Sequence, residues 1–88
     1  MSAILTTEVL QDELAVSLAR VLAAANKRAR EAGVDVARSV ITISQSFEHG
    51  LRWRVNYGPK DYVGRRGGDL IVEVEASDAS VTQVLRGQ

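Results

Sequence analysis

Residues 39–57 read SVITISQSFEHGLRWRVNY, two alternating runs joined by a segment that ends in glycine. In the first run Ile41, Ile43, Gln45 and Phe47 alternate with Thr42, Ser44 and Ser46. In the second, Leu51, Trp53, Val55 and Tyr57 alternate with Arg52, Arg54 and Asn56. Successive side chains of a strand point to opposite faces of a sheet, so a period of two marks a strand with one buried face. Glu48-His49-Gly50 supplies a short turn, and a β-hairpin is expected, with strands over about 39–48 and 51–57.

Downstream, residues 58–69 read GPKDYVGRRGGD, with four glycines and the only proline of the chain. This is expected to be a long basic loop, with at most a fragment of strand at Tyr62-Val63. A third strand is expected over 70–75 and a fourth over about 80–86, joined by Ala76-Ser77-Asp78-Ala79. The third strand places Leu70, Val72 and Val74 on one face and Ile71, Glu73 and Glu75 on the other. Antiparallel pairing with the second strand then sets Arg52 and Arg54 opposite the two glutamates, and Trp53 and Val55 opposite the two valines. Each exposed cross-strand charge pair contributes only about 0.2–1 kcal/mol. Their use here is as evidence of register, because both faces agree on one alignment.

Upstream, Leu10, Leu14, Leu18, Val21, Ala25, Ala29 and Ala32 recur at spacings of three and four, a stripe at helical period. Thr7 is suited to an N-cap and Gly33 to the residue just past the C-terminus. Asp12 and Glu13 lie toward the positive end of the helix dipole; Lys27, Arg28 and Arg30 lie toward the negative end. One helix over about 7–32 is expected, its stripe tapering from leucine to alanine so that the C-terminal half can approach a sheet closely. Val9, Val16, Ala19 and Ala23 widen the apolar sector. They are expected to flank the core, with a second contact face as the alternative.

The fold class that follows is α+β: one long N-terminal helix packed on a four-stranded antiparallel meander, in the order α-β-β-β-β, within a single domain spanning residues 1–88. Residues 70–85, LIVEVEASDASVTQVL, resemble the last hairpin of PepSY-like domains, in which an alternating strand and a turn with Asp and Gly precede a shorter valine-rich strand. Ala79 stands at the turn position where such domains usually carry Gly. A helix followed by a curled antiparallel sheet is also similar to the wider cystatin-like architecture, so the resemblance implies a cystatin-like fold. Inhibition of papain-like proteases by cystatins calls for a Gln-x-Val-x-Gly loop. Ser46-Phe47-Glu48-His49-Gly50 shares only its last residue with that loop, so this activity does not carry over.

Composition bounds what else the chain can be. Eighty-eight residues allow one thin core, and a hydrophobic content of 45% argues against disorder. The absence of cysteine excludes disulfides and thiolate metal sites and fits a reducing compartment, so a cytoplasmic location is expected. Met1 to Thr7 has neither a basic patch nor a long apolar run and does not read as a signal peptide. No apolar stretch approaches the roughly 20 residues that span a bilayer, and no membrane partner is expected. Net charge is zero but segregated: residues 1–19 sum to −3, 20–66 to +6 and 67–88 to −3. Near-zero net charge makes self-association easier.

The search for chemistry finds no catalytic set, no metal site and no cofactor motif. His49, the sole histidine, has no ligand cluster around it and no nucleophile with an orienting carboxylate. Glu73 and Glu75 share a strand face, but arginines opposite would hold them ionised, the wrong state for a general acid. The binding candidates are Lys60, Tyr62, Arg65 and Arg66 of the glycine-rich loop, which could clasp an anion, together with Arg52 and Arg54 on the sheet. Trp53 and Tyr57 are expected in the core rather than on a base-stacking platform. The leading expectation is a non-catalytic interaction domain, acting as a homodimer or as a small accessory or inhibitory subunit. The alternatives are nucleic-acid binding through Arg28, Arg38, Lys60, Arg65 and Arg66, or a small ligand-binding or enzymatic cup between helix and sheet.

Overall fold

A computed structural model of the chain describes residues 7–48, 50–59 and 69–86. Helix α1 (Thr7–Gln11) and helix α2 (Glu13–Glu31) lead through a 3-10 turn (Val36–Arg38) into strands β1 (Ser39–Ser46), β2 (Arg52–Pro59), β3 (Leu70–Glu75) and β4 (Val81–Arg86). The strands form one antiparallel sheet in the order β1-β2-β3-β4, and α2 packs across one face. The expected α+β meander is the observed fold.

The expected single helix over 7–32 is interrupted at Asp12. This residue leaves helical geometry (φ −92°, ψ 106°), and its carboxylate Oδ1 accepts from the Ala15 amide at 3.0 Å. Asp12, not Thr7, therefore caps the long helix; the apolar spacing runs straight through the break and conceals it. At the other end Gly33 adopts φ +90°, its amide donates to the Arg30 carbonyl and that of Val34 to the Ala29 carbonyl, both at 3.0 Å. These two bonds make a Schellman cap, and a side chain at position 33 would be strained by the positive φ.

The core lies between α2 and the middle of the sheet. Val21, Ala25 and Ala29 of α2, Val36, Trp53, Val55, Tyr57, Leu70, Val72 and Val74 are its buried residues. A fully buried Val or Leu side chain contributes about 1.5–3 kcal/mol, so this short set carries much of the stability. The taper toward alanine works as expected: Ala25 and Ala29, both at 0% exposure, bring the helix backbone close to the sheet. The leucine end behaves differently. Nineteen residues make α2 about 28 Å long, whereas the six of β3 span about 20 Å. The Tyr57 hydroxyl donates to Asn26 Oδ1, and Arg86 Nη2 donates to the Ala32 carbonyl. Both contacts seat the C-terminal half of α2 at one end of the sheet, so the N-terminal turns overhang the other. Leu10 and Leu14 are accordingly 64% and 58% exposed and do not reach a deeper core. Val9, Val16, Ala19 and Ala23 likewise stay out of the core, a correction to the expectation that they flank it.

The sheet register agrees with the charge and apolar matching: Arg52 faces Glu75, Arg54 faces Glu73, Trp53 faces Val74 and Val55 faces Val72. Two boundaries move. β1 ends at Ser46, opposite Arg52, so the hairpin connection runs over 47–51, longer than expected, with Gly50 at φ +87°. β2 continues through Gly58 and Pro59 into the expected loop. Proline lacks an amide donor, but β3 pairs with β2 only as far as Tyr57, and a strand end tolerates the missing bond. The turn after β3 holds Ala79 at φ +57°, the glycine-favouring region. Asp78 Oδ1 accepts from the Ser80 hydroxyl at 2.7 Å and the Ser80 amide at 3.0 Å, and these bonds hold the carboxyl below the usual carboxylate range.

Candidate interaction surface on strand β1

One helix cannot cover this sheet. A helix with its side chains is about 10 Å across, and four strands at about 4.8 Å spacing are wider than that. The contacts of α2 fall mainly on β3, then on β2 and β4. β1 lies two strands from β3, at the sheet edge. Its residues 41, 43 and 45 pair with Tyr57, Val55 and Trp53 and so share the helix-facing side. Yet Ile41 is 36% exposed, and Ile43 is only half-buried. On the opposite side Val40 is 47% exposed. Phe47, expected to follow the inward alternation, lies just past the strand end and is 72% exposed.

The two sheet edges differ. β1 has eight residues, SVITISQS, with no charge, no proline and no register shift in its pairing with β2. Native edges are usually blunted by charge, proline, bulges or shortness. β4 shows three of these features: it has six residues, it carries Arg86, and its ladder with β3 shifts register between Glu73 and Val74. Among the described residues no strand pairs with the outer side of β1, and unpaired backbone groups at such an edge can template another strand.

The solvent face of the sheet carries polar cross-strand rows. Arg54 donates from Nε (3.0 Å) and Nη2 to the same Glu73 oxygen, Oε2. Arg52 Nε forms an ion pair with Glu75 Oε1 at 3.7 Å, too far for a hydrogen bond, and like Trp53 Nε1 it is buried with no hydrogen-bond partner among the described residues. Both predicted sheet arginines are thus engaged with glutamates. A hollow of about 50 Å³ beside them is lined by Ser46, Glu48, Arg52, Trp53, Arg54 and Glu73. Small-molecule pockets run to about 300–1,000 Å³, so the hollow accommodates only a few waters.

Other expected site residues fall as follows. Lys60, Tyr62, Arg65 and Arg66 lie outside the described residues, as does His49. Arg28 and Arg38 each sit within 4 Å of a carboxylate on their own segment, Glu31 and Asp35 respectively. Trp53 and Tyr57 are in the core, at 6% and 2% exposure. Burial pushes the Tyr57 hydroxyl up to about 12, with the nearby Arg30 charge opposing that rise. Among the described residues, no three of the His, Cys, Asp and Glu side chains gather to hold a metal ion. No helix among them is long and apolar enough to cross a membrane.

Sequence reasoning missed Val40 and misplaced Phe47. The signal for Val40 was present: it falls on the polar side of an alternating run, where an apolar residue has no core to enter. The chain matches no family model, and no curated protein and no solved structure matches it either.

Proposed function

We propose that this chain is a non-catalytic protein-interaction domain that engages other chains through the edge of β1. The observation that carries the reading is an uncharged eight-residue edge strand whose apolar neighbours, Val40, Ile41 and Phe47, the domain's own helix leaves exposed. Strand addition at such an edge derives affinity from main-chain hydrogen bonds and specificity from alternate side chains. The cysteine-free composition suits work in a reducing compartment such as the cytoplasm. The small size suits an accessory or inhibitory subunit, and the PepSY-like resemblance of residues 70–85 is compatible with an accessory role.

Photo-crosslinking in the cells that make the protein tests the reading for any partner. A photoreactive residue at position 40, on β1, should give discrete adducts that disappear when Thr42→Pro blocks the edge. The same residue at position 83, on β4, serves as the control. Adducts from position 40 no stronger than those from position 83 would refute the proposal.

A further inference from the structure

We infer that the occupant of the β1 edge is a second copy of this chain, paired antiparallel about a two-fold axis through Thr42. The inference rests on the reading of β1 as an interaction surface and names the partner. A two-fold axis that makes two β1 strands antiparallel stands perpendicular to the sheet, so both copies keep their helices on the same side. Directly opposed residues then share a face, which requires the two residue numbers in each pair to sum to an even value. Of the two central registers, the one with Thr42 on the axis sets Ile41 of each copy against Ile43 of the other and Thr42 against Thr42. The alternative, centred on Ile43, sets Ile41 against Gln45. Aliphatic and Thr–Thr pairs are favourable cross-strand neighbours; the first register makes the Ile41–Ile43 pair twice and the Thr pair once, the second only Ile43 against itself.

The charge pattern selects a second copy over an arbitrary partner. A two-fold contact opposes a patch to itself, so any charge near the axis meets its own kind. Charged residues make up 25% of the chain, yet none occurs from 39 to 46. β4, by contrast, carries Arg86, whose guanidinium is tied to the Ala32 carbonyl. Zero net charge leaves no overall repulsion between copies. The apolar groups also benefit. Ile41, exposed, and Ile43, packed at the margin of the core, gain aliphatic neighbours, and Phe47 is carried alongside the segment that precedes β1 in the other copy. Pairing β1 with β1 turns two four-stranded sheets into one of eight and removes the less protected edge of each.

The chain's lack of cysteine makes the test direct. Opposed Cα atoms in an antiparallel pair lie about 4.5–5.5 Å apart, within disulfide range. Thr42→Cys should therefore oxidise to a covalent dimer at least tenfold faster than Thr82→Cys, a control on exposed β4. Light scattering of the unmodified chain at micromolar concentration should give twice its 9.5 kDa mass. A dimer without preferential crosslinking at position 42 would overturn the proposed pairing. A monomer of 9.5 kDa at hundreds of micromolar would overturn the second copy as occupant. In either case, adducts from position 40 with other proteins would leave the interaction reading standing, and their absence would remove both.

Discussion

Replacing Tyr57 by phenylalanine tests how the helix is fastened to the sheet. The hydroxyl donates to Asn26 Oδ1 at 2.6 Å, joining β2 to the second turn from the end of α2, while the ring is 2% exposed. Phenylalanine keeps the ring and deletes the bond. Asn26 is half-buried, so water can reach its freed oxygen, and the loss should be the net value of a hydrogen bond, about 0.5–1.5 kcal/mol. For a domain of this size a loss of 1 kcal/mol lowers Tm by roughly 4–8 °C. Alkaline pH adds a second signature. Burial raises the Tyr57 hydroxyl to about 12 from the model-peptide value near 10. The unfolded chain releases this proton from about pH 10, whereas the folded chain holds it to about pH 12. The stabilisation is thus complete below pH 10 and is lost as pH rises through 12. With solvent access near Asn26 screening the effect, the expected loss is about 1–1.5 kcal/mol. Trp53, the sole tryptophan, reports urea unfolding by fluorescence. Curves at fixed protein concentration from pH 8 to 12 should show wild type ahead of Tyr57→Phe at pH 8 and the gap closing toward pH 12. Equal stabilities at pH 8 with parallel pH dependence would show that the hydroxyl holds nothing.

Three further outcomes follow from named contacts. Asp12→Ala removes the cap on Ala15 and should cost about 0.5–2 kcal/mol, while Asp12→Asn, which keeps an acceptor, should stay within about 0.5 kcal/mol in thermal unfolding. Ala79→Gly relieves a left-handed alanine, which costs about 1–2 kcal/mol, against an unfolded-state entropy term of about 0.4–1 kcal/mol. The result should be a small gain in urea midpoint, and Ala79→Val should lose stability. Val21→Ala, at a fully buried site, should cost about 2 kcal/mol, and Leu14→Ala less than about 1 kcal/mol despite the larger truncation; a reversed order in denaturant titration would put the overhanging turns back in the core.

The parts of the fold that were legible in the sequence are those governed by local period and by pairwise charge. The alternation in 39–57 identifies the hairpin, and the matching of Arg52 and Arg54 to Glu75 and Glu73 sets the β2–β3 register on both faces. Gly33 announces its Schellman cap because only a residue free of strain at positive φ fits there. The break at Asp12 was not legible, because a helical stripe reports which face is apolar and is blind to a one-residue cap that preserves the spacing. Nor could the stripe show that Leu10 and Leu14 overhang the sheet, since that depends on the lengths of two elements and on where Asn26 meets Tyr57. Gly58 and Pro59 read as breakers, and their place in β2 depends on β3 pairing no farther than Tyr57. As for the candidate surface, an uncharged first strand was visible, but its exposure was not. That follows from α2 resting mainly on β3, which no single segment encodes.

That choice of seat has a physical cause, and it leaves β1 the strand least covered by the helix. β3 alternates buried and half-buried residues along its whole length, with Leu70, Val72 and Val74 at or below 1% exposure, and it is flanked on both sides by strands. A helix whose closest residues are Ala25 and Ala29 gains most where apolar side chains rise from three adjacent strands. Centred there, it closes a core that includes Val55 of β2 and borders Val84 of β4, whereas on β1 Ile43 packs at the core's margin and Ile41 stays exposed. The opposite seat, over β1 and β2, would leave Val72 and Val74 bare and cost more apolar burial than it recovered from Ile41 and Ile43. The exposure of Ile41 is therefore the cost of the best core this one helix and sheet can make.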